Sequence, residues 1–151
     1  MGIGHTGDEL VGTWKLVSAS TTTSTGERSE TPYGPSPTGL LTYTAGGRVI
    51  AMISHSGRKS LSTLAKPEEQ AVAFKTFLAY AGRYRLKGDE VIHSVEISSI
   101  QSYVGQDLVR TVKFQGDQII LVTPPTPVKG KIQTFELIWQ RLPIGALVSA
   151  L

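Results

Sequence analysis

The sequence predicts an all-β protein, an eight-stranded antiparallel up-and-down barrel with one helix between its third and fourth strands. Three observations carry this expectation. Ala45-Gly46-Gly47-Arg48, Lys87-Gly88-Asp89-Glu90 and Gln115-Gly116-Asp117-Gln118 each place glycine first in a two-residue turn, where the backbone needs a positive φ. Apolar residues alternate on both sides of these turns, the period of a half-buried strand. Tight turns also alternate with long connections along the chain. In an up-and-down barrel the tight turns then close one end and the long loops ring the other.

The expected strands run over 11–21, 38–45, 48–54, 80–87, 90–99, 108–115, 118–123 and 131–142. In the first hairpin both faces are partly apolar. Pairing Tyr43 with Ile50 and Leu41 with Met52 gives the bulkier face, which is taken as inward. Pro67-Glu68-Glu69 then supplies a proline and two acids for a first helical turn. Ala71, Phe74, Phe77 and Leu78 form its apolar stripe, so the helix is expected to reach about Ala79. The second hairpin pairs Leu86 with Val91, Tyr84 with His93, Gly82 with Val95 and Tyr80 with Ile97, and turns Lys87, Arg85 and Arg83 to water. The third pairs Phe114 with Ile119, Val112 with Leu121 and Arg110 with Thr123. The mouth of the resulting cup lies among residues 22–37, 55–79, 100–107 and 124–130. Eight strands leave an interior that holds side chains or one small ligand.

At 151 residues the chain is read as one domain over 1–151, with 1–9 and 143–151 as terminal tails. Its 40% hydrophobic content suffices for a core, and the absence of cysteine excludes disulfides and thiol nucleophiles. Fifteen Lys and Arg against twelve Asp and Glu give a net charge of +3, scattered without a dense block. A nucleic-acid partner is therefore not expected, since such surfaces carry a basic stripe with stacking aromatics. No apolar run is long enough for a membrane span. The first residues lack a signal-peptide layout. Met1 to Thr6 loosely fits a myristoylation pattern, and Ser149-Ala150-Leu151 shares two letters with a peroxisomal signal. Both ends are taken as uninformative and the expected location is cytoplasmic. Nothing in the sequence sets an oligomeric state.

Several segments in order resemble the lipocalin-like domain family, in particular its single-domain bacterial and fungal members. Gly12-Thr13-Trp14 matches the Gly-x-Trp element of the first strand, and Trp139-Gln140-Arg141 supplies the basic residue that covers that tryptophan. Pro32-Tyr33-Gly34, Gly39-Leu40-Leu41-Thr42-Tyr43-Thr44, Phe77-Leu78-Ala79-Tyr80-Ala81-Gly82, Val91-Ile92-His93 and Val95-Glu96-Ile97-Ser98 extend the likeness over nearly the whole chain. Two features depart from it. Ile100 and Tyr103 stand where the group often has tryptophans, and typical secreted lipocalins carry their helix after the last strand. The resemblance implies a ligand-holding barrel, serving as a carrier of small hydrophobic molecules or as a cofactor-independent cyclase or isomerase.

The residues allow both. His93 alternates with Val91, Val95 and Ile97, which places an imidazole in an apolar wall beside Tyr84. Burial favours its neutral form. The competing role is a structural His–Tyr hydrogen bond. Arg110 shares a face with Leu108, Val112 and Phe114. A guanidinium there is costly to desolvate unless paired, so it either holds a carboxylate, enolate or phenolate or forms an ion pair with Glu96 or Glu136. Glu96 itself enters the cup only if a bulge turns it inward. Tyr43, Met52, Tyr80, Phe135 and Leu137 are expected along the wall, with Tyr33 as a lid and His55 at the rim. The three histidines show no metal-ligand spacing, and no Gly-x-Ser-x-Gly elbow or phosphate loop is present. No cofactor or metal is expected. The leading expectation is a cyclase or isomerase acting on a polyketide- or terpenoid-like substrate, with His93, Tyr84 and Arg110 catalytic. A carrier or sensor is the alternative, and a structural module with a filled core the second.

Overall fold

Burial alternates along successive strands, and pairing of the first long strand with the last closes the sheet on itself. The computed structural model describes residues 7–144, so the Met1–Thr6 pattern and the Ser149–Leu151 ending lie outside the described residues. The elements run α1 (Gly7–Leu10), β1 (Gly12–Thr23), β2 (Arg28–Ser29), β3 (Thr38–Tyr43), β4 (Arg48–Ser54), α2 (Pro67–Lys75), β5 (Phe77–Lys87) and β6 (Glu90–Ser98). A 3-10 turn (Gln101–Tyr103), β7 (Asp107–Gln115), β8 (Gln118–Val122), β9 (Thr126–Val128) and β10 (Lys131–Arg141) follow. All strands pair antiparallel, in the order β2-β1-β3-β4-β5-β6-β7-β8-β10-β9, and β1 pairs with β10 to close the barrel. Eight strands make the wall. The two short ones, β2 and β9, are outriggers on β1 and β10. Residues 7–9, expected within a tail, are part of α1.

One end of the barrel is plugged by its own sequence motifs. The Arg141 guanidinium lies 4.2 Å from the Trp14 ring centroid, a contact that contributes about 0.5–2 kcal/mol. Its Nη1 donates to Val11 O at 2.7 Å, and Nη2 donates to Glu9 O. Trp14 Nε1 donates to Leu10 O at 2.9 Å, which seats α1 under the floor with Leu10 fully buried. Gly12 is required here. Its φ is +137°, and a Cβ would stand 2.8 Å from Arg141 Nη1.

Two of the three hairpin registers match the sequence expectation, and the first differs by one residue. In the Thr44–Gly47 turn, Gly47 N–H donates to Thr44 O, Gly47 adopts φ +85°, and the Thr44 hydroxyl accepts from Arg48 N–H at 3.0 Å. This loop is longer than a two-residue turn, so Tyr43 pairs with Val49 and Leu41 with Ala51. A one-residue slip exchanges the faces of a strand. Val49, Ala51 and Ile53 therefore face the core, while Ile50 and Met52 are exposed. In the second hairpin the expected pairs hold from Lys87–Glu90 to Gly82–Val95, after which a bulge puts Tyr80 opposite Ser98 rather than Ile97. Gly82 makes this possible, because a Cβ there would lie 1.9 Å from Ser94 O. The third hairpin pairs Phe114 with Ile119 and Val112 with Leu121, as expected.

The helix is shorter than its apolar stripe implied, and no residue of α2 is buried. The Thr76 hydroxyl donates back to Val72 O at 2.8 Å and ends it, after which Phe77 enters the ladder opposite Ser54. Pairing with β4 satisfies more backbone groups than another helical turn at an exposed site. The helix also follows the fourth strand in chain order, not the third, because β2 inside the loop after β1 adds a strand to the count. No helix among the described residues is long and apolar enough to cross a membrane.

Candidate functional site

The most deeply buried polar side chain is the imidazole of His93, 1% exposed. Strand alternation sends Val91, His93 and Val95 inward together. Both ring nitrogens are engaged: Tyr43 Oη lies 2.7 Å from Nε2, and Tyr80 Oη 2.6 Å from Nδ1. Burial, reinforced by the positive charge of Arg110, lowers the His93 pKa to about 3, so the ring is neutral. Burial pushes Tyr80 up to about 12 and Tyr43 well above its ordinary value. Both phenols are therefore protonated. A neutral imidazole has one N–H and one bare nitrogen. One tyrosine donates to the bare nitrogen, the other accepts from the N–H, and the accepting tyrosine keeps an uncommitted O–H.

Arg110 reaches the same interior from β7, where it pairs with Val91. Its Nη1 donates to Val109 O at 2.9 Å. Among the described residues no carboxylate lies within ion-pair distance of it. Glu96, considered as a partner or an inward-turned site residue, is outside. The bulge leaves it exposed, bridging Arg48 at 2.6 Å and Arg83 at 3.7 Å. Glu136 makes no such pair with Arg110 either. The guanidinium charge acts on Tyr33, Tyr43, Tyr80 and His93, so all four rings lie within its field.

The loop before β3 brings Tyr33 onto this space. Its ring stacks on Phe135 with centroids 6.1 Å apart and lies 5.0 Å from His55. Burial raises its hydroxyl to about 12. Ser56 N–H donates to Tyr33 O at 3.0 Å, and a Cβ on Gly34 would stand 2.0 Å from Ser56 Oγ, so the loop is clamped to the end of β4.

A family profile for the lipocalin-like domain matches residues 11–142. The chain belongs to this family. It is also similar to the 4'-hydroxy-3'-methoxypropiophenone carrier protein of Aspergillus oryzae, 36% identical over 98 residues, 59% of this chain and 86% of that protein. Among solved structures, a lipocalin-like protein from Bacteroides uniformis matches 89% of this chain and 99% of its own at 15% identity, with a TM-score of 0.45.

Within this lipocalin-like barrel the expected site residues separate into four groups. His93, Arg110, Tyr43, Tyr80, Phe135 and Leu137 face the interior, and Tyr33 with His55 sits at its rim. Burial, then Lys129 and Arg58, lower the His55 pKa. Tyr84 neighbours His93 in register but does not bond to it. Its hydroxyl donates to Thr44 O at 2.8 Å, and its ring meets Tyr43 edge-on at 4.7 Å, so it buttresses Tyr43. Met52 and Glu96 are on the outer surface. Tyr103, which the sequence marks only as a departure from the family pattern, is half-buried against the core and acts electrostatically on Tyr33 and Tyr80. The one signal available was an aromatic residue near the place where relatives carry tryptophan.

Among the described residues no group of three or more His, Asp or Glu is placed to hold a metal ion. A cleft of about 390 Å³ lies elsewhere, between α2 and residues 56–61, lined by Arg58, Leu61, Glu69, Val72 and Thr76 among others. It shares no residue with the interior network. Inside the barrel, hydrogen-bond donors from Tyr43, Tyr80 and His93 and the Arg110 cation stand in an otherwise apolar wall. Such a site orients a small molecule by a few polar contacts and holds it by apolar burial.

Proposed function

We propose that this lipocalin-like protein binds a small, largely apolar molecule carrying at least one acceptor oxygen, and holds it without changing it. The observation that carries the reading is the Tyr43–His93–Tyr80 chain with its uncommitted O–H beside Arg110, inside an apolar wall. A relative named as a carrier of a hydroxyaryl ketone supports it. The protonation state of His93 also favours carriage over proton transfer. A general base works best with a pKa near the working pH, whereas this imidazole sits near 3 with both nitrogens occupied. The cyclase or isomerase reading draws its support from Arg110, which is able to stabilise an enolate without any cofactor.

Titration with 4'-hydroxy-3'-methoxypropiophenone, followed by calorimetry and by the fluorescence of Trp14 and Trp139, tests the proposal. Saturable one-to-one binding, with the ketone recovered intact by mass spectrometry, is expected. A new product of altered structure moves the assignment to the cyclase or isomerase reading. Failure of this ketone and of a panel of polyketide and terpenoid hydrophobes to bind leaves a structural module filled by its own side chains.

A further inference from the structure

Resting on that ligand-binding reading, we infer that the barrel takes its ligand as an oxyanion, with an ionised phenol, enol or carboxyl oxygen lodged between Arg110 and the Tyr43–His93–Tyr80 chain. The first ground is charge. Arg110 lies on the inward face beside Val91, and no described carboxylate lies within ion-pair distance. The titratable groups around this space are Tyr43 from β3, Tyr80 and Tyr84 from β5, His93 from β6, Tyr103 from the 3-10 turn and Tyr33 from the loop before β3. None of them is a carboxylate, so none brings the anion that an interior guanidinium ordinarily has as its partner.

The second ground is the count of hydrogen bonds. A guanidinium has five N–H donors, and Nη1 donates to Val109 O. The tyrosine pair around His93 adds one uncommitted O–H. The cation acts on all three members of the Tyr43–His93–Tyr80 chain, and among the described residues no acceptor of negative charge opposes it. A neutral ketone would satisfy one donor and leave the charge uncompensated. An anionic oxygen satisfies both. A phenolic or enolic ligand that is neutral in solution would therefore lose its hydroxyl proton to bulk water on binding. The protein's own side chains would stay as they are.

Absorbance separates the two forms, because the phenolate of a hydroxyaryl ketone absorbs at longer wavelength than the phenol. Protein is titrated into the ketone at a pH where the free ligand is mainly neutral, with binding followed in parallel by calorimetry in two buffers of different ionisation enthalpy. The phenolate band should grow in step with occupancy, with about one proton released per site. The methyl ether of the ketone, which cannot ionise, should bind about tenfold more weakly or worse. Arg110→Met, checked for folding by circular dichroism, should lose the band. Binding of the ketone with an unchanged phenol spectrum and equal affinity for the ether overturns the inference and leaves the carrier reading intact. Binding of neither compound, nor of the polyketide and terpenoid panel, removes the carrier reading, and the inference with it.

Discussion

His93 depends on two hydroxyls, and each can be removed singly. Tyr80→Phe leaves Nδ1 without a partner, and Tyr43→Phe does the same at Nε2. Each should destabilise the fold by about 1–3 kcal/mol, the cost of an unsatisfied buried polar group. Urea unfolding measures this, and a change below a few tenths of a kcal/mol for both would mean the network is not formed. The imidazole also predicts a pH dependence. Its pKa is about 3 in the folded chain against the ordinary imidazole value of 6.5. As pH falls below 6.5, the unfolded chain takes up a proton that the folded chain refuses. The His93 contribution is complete above that value and declines toward pH 3, by at most about 1.4 kcal/mol per unit. Carboxylates titrate in part of the same range, so the informative quantity is the difference between the natural chain and His93→Gln. Parallel stability curves for the two between neutral pH and about pH 4 would rule the mechanism out.

Strand β5 illustrates how one small residue sets an entire interior face. Gly82 lets the bulge at Glu96 form, and the bulge is what puts Tyr80 opposite Ser98 while Glu96 stays in solvent. Gly82→Ala would drive a Cβ into Ser94 O and should cost about 1–3 kcal/mol or more, with disturbance of Tyr80 visible as altered tyrosine chemical shifts. The two floor tryptophans, on β1 and β10, offer a contrast. Trp14 Nε1 is bonded to Leu10 O, whereas Trp139 Nε1 is buried without a hydrogen-bond partner among the described residues. Both lose similar volume on replacement by phenylalanine, but only Trp14→Phe forfeits a bond. It should be the more destabilising of the two by about 1 kcal/mol, and equal midpoints in denaturant would contradict this.

Closure of the barrel makes floor, wall and mouth a single cooperative unit. β1 and β10 meet from Trp14–Arg141 at the floor to Thr23–Gln133 toward the mouth, so Arg141 latches the two ends of the described wall together. Arg141→Met should remove the cation–π contact and the backbone bonds to Val11 and Glu9, lowering stability by about 1–3 kcal/mol in urea unfolding. Ligand binding acts on the same unit. A ligand specific to the folded barrel, present at a hundred times its Kd, should add about 2.7 kcal/mol. Differential scanning fluorimetry would show this as a rise in Tm, and a saturating ligand that left Tm unmoved would have to bind folded and unfolded chains alike.

Much of this architecture was legible in the one-dimensional pattern. Glycine turns, period-two apolarity and the alternation of short and long connections specify an antiparallel barrel because each is a local backbone property. They also placed His93 and Arg110 on inward faces, since the second hairpin keeps the register of its Gly88-Asp89 turn as far as Gly82 and the third keeps that of its Gly116-Asp117 turn. Where the local signal was degenerate, the reading failed. Both faces of β4 are apolar, so only the Thr44–Gly47 turn geometry decided that Ala51 points in and Met52 out. The fate of Glu96 hung on a bulge that is a property of two strands together. Composition and pattern along the chain determined that the wall is an antiparallel barrel and that His93 lies inside it. Only tertiary structure decided that His93 is gripped by Tyr43 and Tyr80 rather than by Tyr84, because register sets where a Cα lies, whereas rings reaching across a closed interior choose their partners from strands distant in sequence.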